Sequence, residues 1–279
     1  MKKRAEIKEY SPKEYWDGVA EAFRASDAAG FAPVLHPDAP VWFNRLIDDL
    51  QFRAMRRALS VAALASGSRF LDVGCGTGRW IRRYQQMDFL PTGVDAAPGM
   101  LRTARDRNTI TPLVAGQAHL LPFADACFDA VSDVTVVQHI PEALQAQGLG
   151  EMLRVLKPGG RLILMELIRG QGTHIFPRAP EDWVRQVESH GGRLLSWFGQ
   201  EFLLLDRMLT STVQTANGRM RARDSNVTPT NAERQKSRVR RAYWGIRHAT
   251  AAIAAWTEPA VERMLPGSLA THGVFIFQK

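Results

Sequence analysis

The run Phe70-Leu71-Asp72-Val73-Gly74-Cys75-Gly76-Thr77-Gly78 constrains this chain more than any other stretch. Strand-favouring residues lead straight into glycines at alternate positions, and Trp80, Ile81 and Tyr84 then begin an apolar rhythm that suits a helix. Strand, glycine turn and helix is the layout of a nucleotide-type cofactor site. Glycine lets the backbone turn sharply and lets a cofactor approach without a Cβ in the way. The helix behind the turn offers free backbone N–H groups and a positive dipole end to an anionic group.

A glycine turn occurs in many nicotinamide and flavin proteins, so it does not name the cofactor. The carboxylate of Asp72, two residues before the first glycine, narrows the choice. Beside a pyrophosphate it would repel, whereas a cofactor carrying an ammonium and a sulfonium would welcome it. The next strand-like run, Pro91-Thr92-Gly93-Val94-Asp95, also ends in an acid, one helix and one strand beyond Gly78. An acid there can accept hydrogen bonds from both hydroxyls of a ribose, and Pro98 is placed to open the following helix.

These two segments resemble the first two motifs of the class I S-adenosylmethionine (SAM)-dependent methyltransferases, of the kind that act on ubiquinone and menaquinone precursors and other small molecules. Three later blocks are similar to their counterparts in that family. They are Thr111–Ala118 followed by Leu121-Pro122-Phe123, then Phe128–Val137, then Met152–Leu164 with its Leu156-Lys157-Pro158-Gly159-Gly160 turn. The likeness covers about residues 60–200. It implies SAM as cofactor, with Asp72 and the turn residues Gly74, Cys75, Gly76 and Gly78 at the methionine end. It places Asp95 at the ribose, Ala96 against the adenosine, Gln117 and Ala118 beside the adenine, and Thr135 near the sulfonium. Many relatives carry an acid where this chain has Gln117, whose carbonyl can accept the adenine amino proton without charge. Cys75 fits the turn as a small side chain, and a catalytic thiol is the alternative.

The expected fold is α/β, a Rossmann-like doubly wound sheet of seven strands. Six are parallel, and the resemblance implies that the last, near Gly273–Phe277, runs antiparallel between the fifth and the sixth, near Arg193–Phe198. Helices are expected over Pro12–Arg24 and Val41–Ala65. Four parts follow: an N-terminal helical cap over 1–60, the SAM-binding core over 61–200, a helical insertion over 201–271 and the final core strand over 272–279. About 70 residues between the last two strands are too many for a structureless loop. Glu233–Leu265 has helical composition, so a second cap is expected over the carboxyl ends of the strands, where open α/β sheets bind ligands.

Charge and cysteine content limit the partners. Of the net charge of +8, most sits in residues 219–241, which hold eight basic residues against two acids. The stretch reads as a solvated face, or as a footprint for an acidic substrate, RNA or an anionic membrane. RNA is the weaker of these, because only Tyr243 and Trp244 supply aromatic stacking nearby. Arg240–Met264 mixes a basic face with Trp244, Ile246, Ile253 and Trp256, which suits a core-facing cap helix or an interfacial helix giving peripheral membrane contact. Cys75 and Cys127 have neither metal-ligand nor redox spacing, so no metal is expected and a reducing cytoplasm suits both. The start Met1-Lys2-Lys3-Arg4 runs into Ala5-Glu6-Ile7-Lys8-Glu9, which argues against a secretory leader.

The sequence therefore points to methyl transfer onto a small-molecule acceptor, a hydroxyl being the favoured target. RNA-directed and lipid-linked variants are the alternatives, with a nicotinamide oxidoreductase as the reading from another class. Transfer from a sulfonium needs alignment and dry surroundings more than acid–base help, and a hydroxyl nucleophile also gains from a base. Two residues qualify as that base. His139, in Val137-Gln138-His139-Ile140-Pro141, either takes a proton or orders the turn before Pro141. Glu166, ending Leu162-Ile163-Leu164-Met165-Glu166, either faces the acceptor or pairs with Arg169. Tyr15 and Trp16 are candidates to close over the sulfonium by cation–π contact or to pack in the core. His36 and His174 fall in loops near the same rim.

Overall fold

The structure, a computed structural model, describes residues 11–23, 35, 39–107, 111–170, 174–202, 244–245, 253 and 256–279. Most of the insertion, the basic run 219–241 and His36 lie outside the described residues. Helix α1 (Pro12–Phe23) opens on Ser11, whose hydroxyl accepts the Glu14 N–H at 3.5 Å, with Pro12 in the first turn where no donor is missed. Helix α2 spans Val41–Ala62 and stops at Ala63, which takes a left-handed conformation.

The core alternates strand and helix. In order come β1 (Arg69–Val73), α3 (Arg79–Gln86), β2 (Leu90–Asp95), α4 (Pro98–Asp106), β3 (Leu113–Ala115), β4 (Phe128–Val134), α5 (Glu142–Val155), β5 (Leu156–Leu167), α6 (Pro180–Glu188), β6 (Arg193–Gln200) and β7 (His272–Gln278). They build one sheet of order β3-β2-β1-β4-β5-β7-β6. The first five strands pair in parallel, and β7 lies antiparallel between β5 and β6. This is the expected topology. Its order reverses beside β1, the switch point at whose carboxyl edge open α/β sheets bind ligands.

Both faces of the sheet are covered. On one, Leu149, Met152, Trp183 and Val187 of α5 and α6 pack against Leu71, Val131, Leu164 and Phe275. On the other, Ala54, Met55, Ala58 and Ala62 of α2 join Trp80 and Tyr84 of α3 against Phe70, Ile163, Met165 and Ile276. Each fully buried large apolar side chain contributes roughly 1.5–3 kcal/mol. α2 is thus a layer of the core, and the boundary expected at residue 60 falls inside it. α1 rests on α4, where the Asp17 carboxylate accepts the Gly99 N–H at 2.7 Å and Ala20 meets Ala97 and Met100.

Several elements differ in extent from the sequence reading. β3 has three residues, and β4 ends at Val134 because Thr135 adopts φ +59° and breaks the extended chain. Residues 137–139 form a 3₁₀ turn. The Lys157–Gly160 turn is absorbed into β5 as a bulge, since the register jumps from Phe128–Leu156 to Ala130–Arg161.

Candidate functional site

The glycine turn is held from both sides by backbone bonds. The Cys75 N–H donates to Val94 O at 3.0 Å, and the Gly78 N–H closes the turn onto Cys75 O at 2.9 Å. Gly74, Gly76 and Gly78 all lie at positive φ, between +54° and +75°. At Gly74 a Cβ would come within 2.3 Å of the Val136 side chain, so the loop after β1 and the loop after β4 touch with no room for a side chain. Cys75 is buried against Gly93, and burial together with Asp95 and Asp72 pushes its thiol well above the usual range. Such a thiol is a small packing residue and not a nucleophile.

Asp95 ends β2 and ties the loop after β1 to the loop after β2. One carboxylate oxygen accepts the Gly76 N–H at 2.8 Å, and the other accepts the Ala97 N–H at 2.8 Å. Each oxygen keeps a second lone pair. Burial raises this acid to about 6 against the pull of the two N–H donors. Asp72 is enclosed at 1% exposure. Its Oδ1 accepts the Ser132 hydroxyl at 2.9 Å from the paired position on β4. Its Oδ2 has no hydrogen-bond partner among the described residues. Burial pushes this acid up to about 7, opposed by Ser132 and Arg79.

Arg79, which opens α3, is buried against α2. Its guanidinium donates to Asp48 and Gln51 of α2, each at 2.7 Å, and lies over the Trp80 ring. Arg83 forks onto the same Asp48. Sequence reading missed Asp48 and Gln51. The available signal was polar residues on an apolar stripe, because Asn44, Asp48, Gln51, Met55, Ala58 and Ala62 recur at helical spacing and are all buried. Gln117 and Ala118 follow β3, and Ala96 follows Asp95. Gln117 is exposed, and Ala118 packs beside the core. Thr135, partly exposed just past β4, is β-branched at positive φ, a strained geometry concentrated at functional sites.

A second group gathers farther along the carboxyl edge. The Trp16 ring meets His139 edge-on at 5.2 Å between centroids, His139 stacks on His174 at 5.4 Å, and Tyr15 lies 4.3 Å from His174. Four side chains from three segments far apart in sequence thus form one aromatic cluster. His139 Nδ1 sits 3.0 Å from the His174 carbonyl, which only accepts, so Nδ1 carries the proton and Nε2 is the acceptor, facing the Gln138 amide at 3.3 Å. Burial lowers His139 to about 4, which keeps the ring neutral near pH 7.

Glu166 is a correction. It is fully buried and accepts the N–H groups of Val136, Val137 and Gln138 at 2.8–3.0 Å. It therefore caps the 3₁₀ turn that carries His139, instead of facing an acceptor or pairing with Arg169. Asp133 is buried against it. Burial and the neighbouring Glu166 carboxylate push Asp133 well above the carboxylate range, while its Oδ1 accepts the Val136 N–H at 3.1 Å.

Beside this turn lies a polar trio that sequence reading missed. Gln200 and His272 face each other across β6 and β7, and His272 Nδ1 is 3.2 Å from Glu201 Oε2. Gln200 is fully buried, yet neither its Oε1 nor its Nε2 has a hydrogen-bond partner among the described residues. Glu201 is held at φ +65°. The trio hides in sequence because β6 and β7 are separated by the whole insertion.

Comparison with known proteins agrees with this layout. A family described as "Methyltransferase domain" matches residues 71–164. The ubiquinone/menaquinone biosynthesis C-methyltransferase UbiE of Geobacter sulfurreducens is 32% identical over 178 residues, which cover 60% of this chain and 68% of that protein. The chain belongs to the class I SAM-dependent methyltransferases. The malonyl-[acyl-carrier protein] O-methyltransferase of Serratia marcescens is 34% identical over 121 residues, 43% of this chain and 47% of the relative, so against relatives of that kind the chain spans about half their length. A SAM-dependent methyltransferase of Archaeoglobus fulgidus shares the fold, with TM-score 0.52 and 18% identity over 83% of this chain and 94% of the other.

This protein is accordingly a SAM-dependent methyltransferase with SAM as cofactor, and the nicotinamide alternative falls. The residues present fit SAM. The unpartnered, buried Asp72 Oδ2 is an acceptor that lacks a donor, and an ammonium supplies both donor and positive charge.

Proposed function

We propose that this methyltransferase acts on a hydroxyl-bearing small molecule, with SAM held over β1 to β4 and the acceptor held at the His139 cluster. In this reading Asp72 takes the ammonium, and the turn Gly74–Gly78 lines the methionine chain with Cys75 packing beneath it. Asp95 takes the ribose hydroxyls, Ala96 touches the adenosine, Gln117 and Ala118 flank the adenine, and Thr135 lies against the sulfonium. SAM supplies an electrophilic methyl group on positive sulfur. The protein's own work is alignment and exclusion of water, for which about 7 kcal/mol or more of barrier reduction is available.

On the acceptor side, His139 has its tautomer fixed by the His174 carbonyl and exchanges the Gln138 amide at its Nε2 lone pair for the acceptor hydroxyl. It accepts the acceptor's hydroxyl proton as the oxygen takes the methyl, which leaves a neutral ether. The same contact raises the nucleophilicity of a carbon adjacent to a ring hydroxyl, so it serves oxygen and carbon acceptors alike. Among curated relatives, UbiE is named for carbon methylation and the malonyl-carrier enzyme for oxygen methylation. Trp16, Tyr15 and His174 shield this position, and Glu166 fixes the turn beneath it. A cytoplasmic place of action suits the two free cysteines. The observation that carries the reading is the meeting of Tyr15, Trp16, His139 and His174 at the edge where the cofactor loops open.

Mass spectrometry of extracts incubated with isotopically labelled SAM identifies the acceptor. His139→Ala is then expected to lower kcat by about 100-fold or more while SAM affinity stays within twofold, about 0.4 kcal/mol. Unchanged kcat contradicts the role of His139.

A further inference from the structure

The helical segment 256–264 is anchored on one side and bare on the other. Inward, Glu258 accepts the Phe202 N–H, and Val261 and Leu265 pack on the main core. Glu262 lies near Arg53 and Arg57 of α2. Outward, Trp256 is 83% exposed and Met264 81%, with Ala260 and Arg263 exposed between them. Ile253, one turn earlier and also helical, is 51% exposed. Spacings of three, four and four residues put Ile253, Trp256, Ala260 and Met264 on one stripe.

A single exposed leucine would mean little. A stripe with a tryptophan, a methionine and an isoleucine pointing away from a core already filled by the opposite face is different. The segment thus has one face on the core and one bare, and Trp244, earlier in the same stretch, packs on Trp42 and Phe43 at the start of α2.

We infer that this stripe docks the enzyme on an anionic lipid bilayer. Charge selects that occupant. The chain carries +8, which disfavours a second copy of itself, and the basic run 219–241 ends three residues before Trp244 in sequence. Tryptophan with aliphatic side chains on one helical face and arginine beside it matches the bilayer interface, where the ring sits at headgroup depth and cations meet anionic lipid. The segment leads through residues 265–271 into His272, at the carboxyl edge, so docking would bring that edge toward the lipid.

Sedimentation of the full chain with vesicles tests this. The wild type is expected to pellet with phosphatidylglycerol vesicles, to stay in solution with pure phosphatidylcholine, and to be released by high salt. Trp256→Ala is expected to weaken binding about tenfold, and Trp256→Glu with Met264→Glu to abolish it. Both variants alter exposed positions, and circular dichroism verifies their fold. Failure of the wild type to bind phosphatidylglycerol vesicles overturns the proposal, as does unchanged binding by Trp256→Ala. A dimer in gel filtration that Trp256→Glu splits overturns it in favour of self-association. Vesicle binding is read without SAM or acceptor, so its failure leaves the methyl-transfer reading standing.

Discussion

Beyond β1 to β4, the carboxyl edge is made from neighbours in sequence and held by backbone. Asp72, the glycine turn, Asp95 and Thr135 fall within 64 residues, and the turn is fixed by N–H groups that donate to Asp95 and Val94. Beyond β5, β7 and β6 the same edge is assembled from Trp16, His139, His174, Gln200, Glu201 and His272, side chains drawn from nearly the whole chain. The first region is rigid and demands particular residues. The second holds an amide with nothing to bond and a glutamate in a left-handed conformation, features a protein retains where a ligand completes the arrangement.

Breaking the first region should have the larger effect. Gly74→Val puts Cβ against Val136 at φ +64°. We expect SAM affinity to fall by roughly 100-fold, about 2.7 kcal/mol, with a lower Tm in a thermal melt. Wild-type affinity would mean that the two loops do not meet as described.

Next is the charge on Asp72. A carboxyl raised to about 7 from 3.8 holds a proton below pH 7, and a neutral carboxyl does not pair with an ammonium. The sign follows from linkage. The folded, ligand-free chain binds the proton more tightly than the unfolded one, so Asp72 costs stability as pH rises from about 4 through 7. SAM binding favours the ionised form. Calorimetry should therefore show wild-type affinity falling about tenfold from pH 8 to pH 6, and Asp72→Asn should flatten that dependence and bind weakly throughout.

The smallest effect belongs to the second region and has the opposite sign. Gln200→Leu removes a buried amide without partners, so the ligand-free protein should gain about 1 kcal/mol or more and melt at higher temperature, with SAM affinity unaltered. A destabilised variant would show that the amide is satisfied internally and that the two regions do not differ in this way.

The contrast also explains what the sequence disclosed. The glycine turn and Asp95 are local patterns tied to backbone geometry, which a short window contains, whereas the antiparallel last strand was legible only through the family resemblance. The assignment of Glu166 failed because a carboxylate at a strand end looks the same whether it meets solvent, substrate or three N–H groups of a neighbouring turn. The partners of Arg79 lie on α2, 31 and 28 residues earlier in the chain, so no short window joins them. Tyr15 and His174 are ordinary residues until α1 and the loop after β5 converge on His139. Pairing across β6 and β7 brought Gln200 beside His272, and no spacing in the chain records that.

The central claim is that Asp95, with Asp72 and the glycine turn, carries SAM. Calorimetric titration of SAM onto Asp95→Ala measures it most directly. The account predicts affinity at least about tenfold weaker, 1.4 kcal/mol, in a chain whose circular dichroism is unchanged. Wild-type affinity in that folded variant would contradict it.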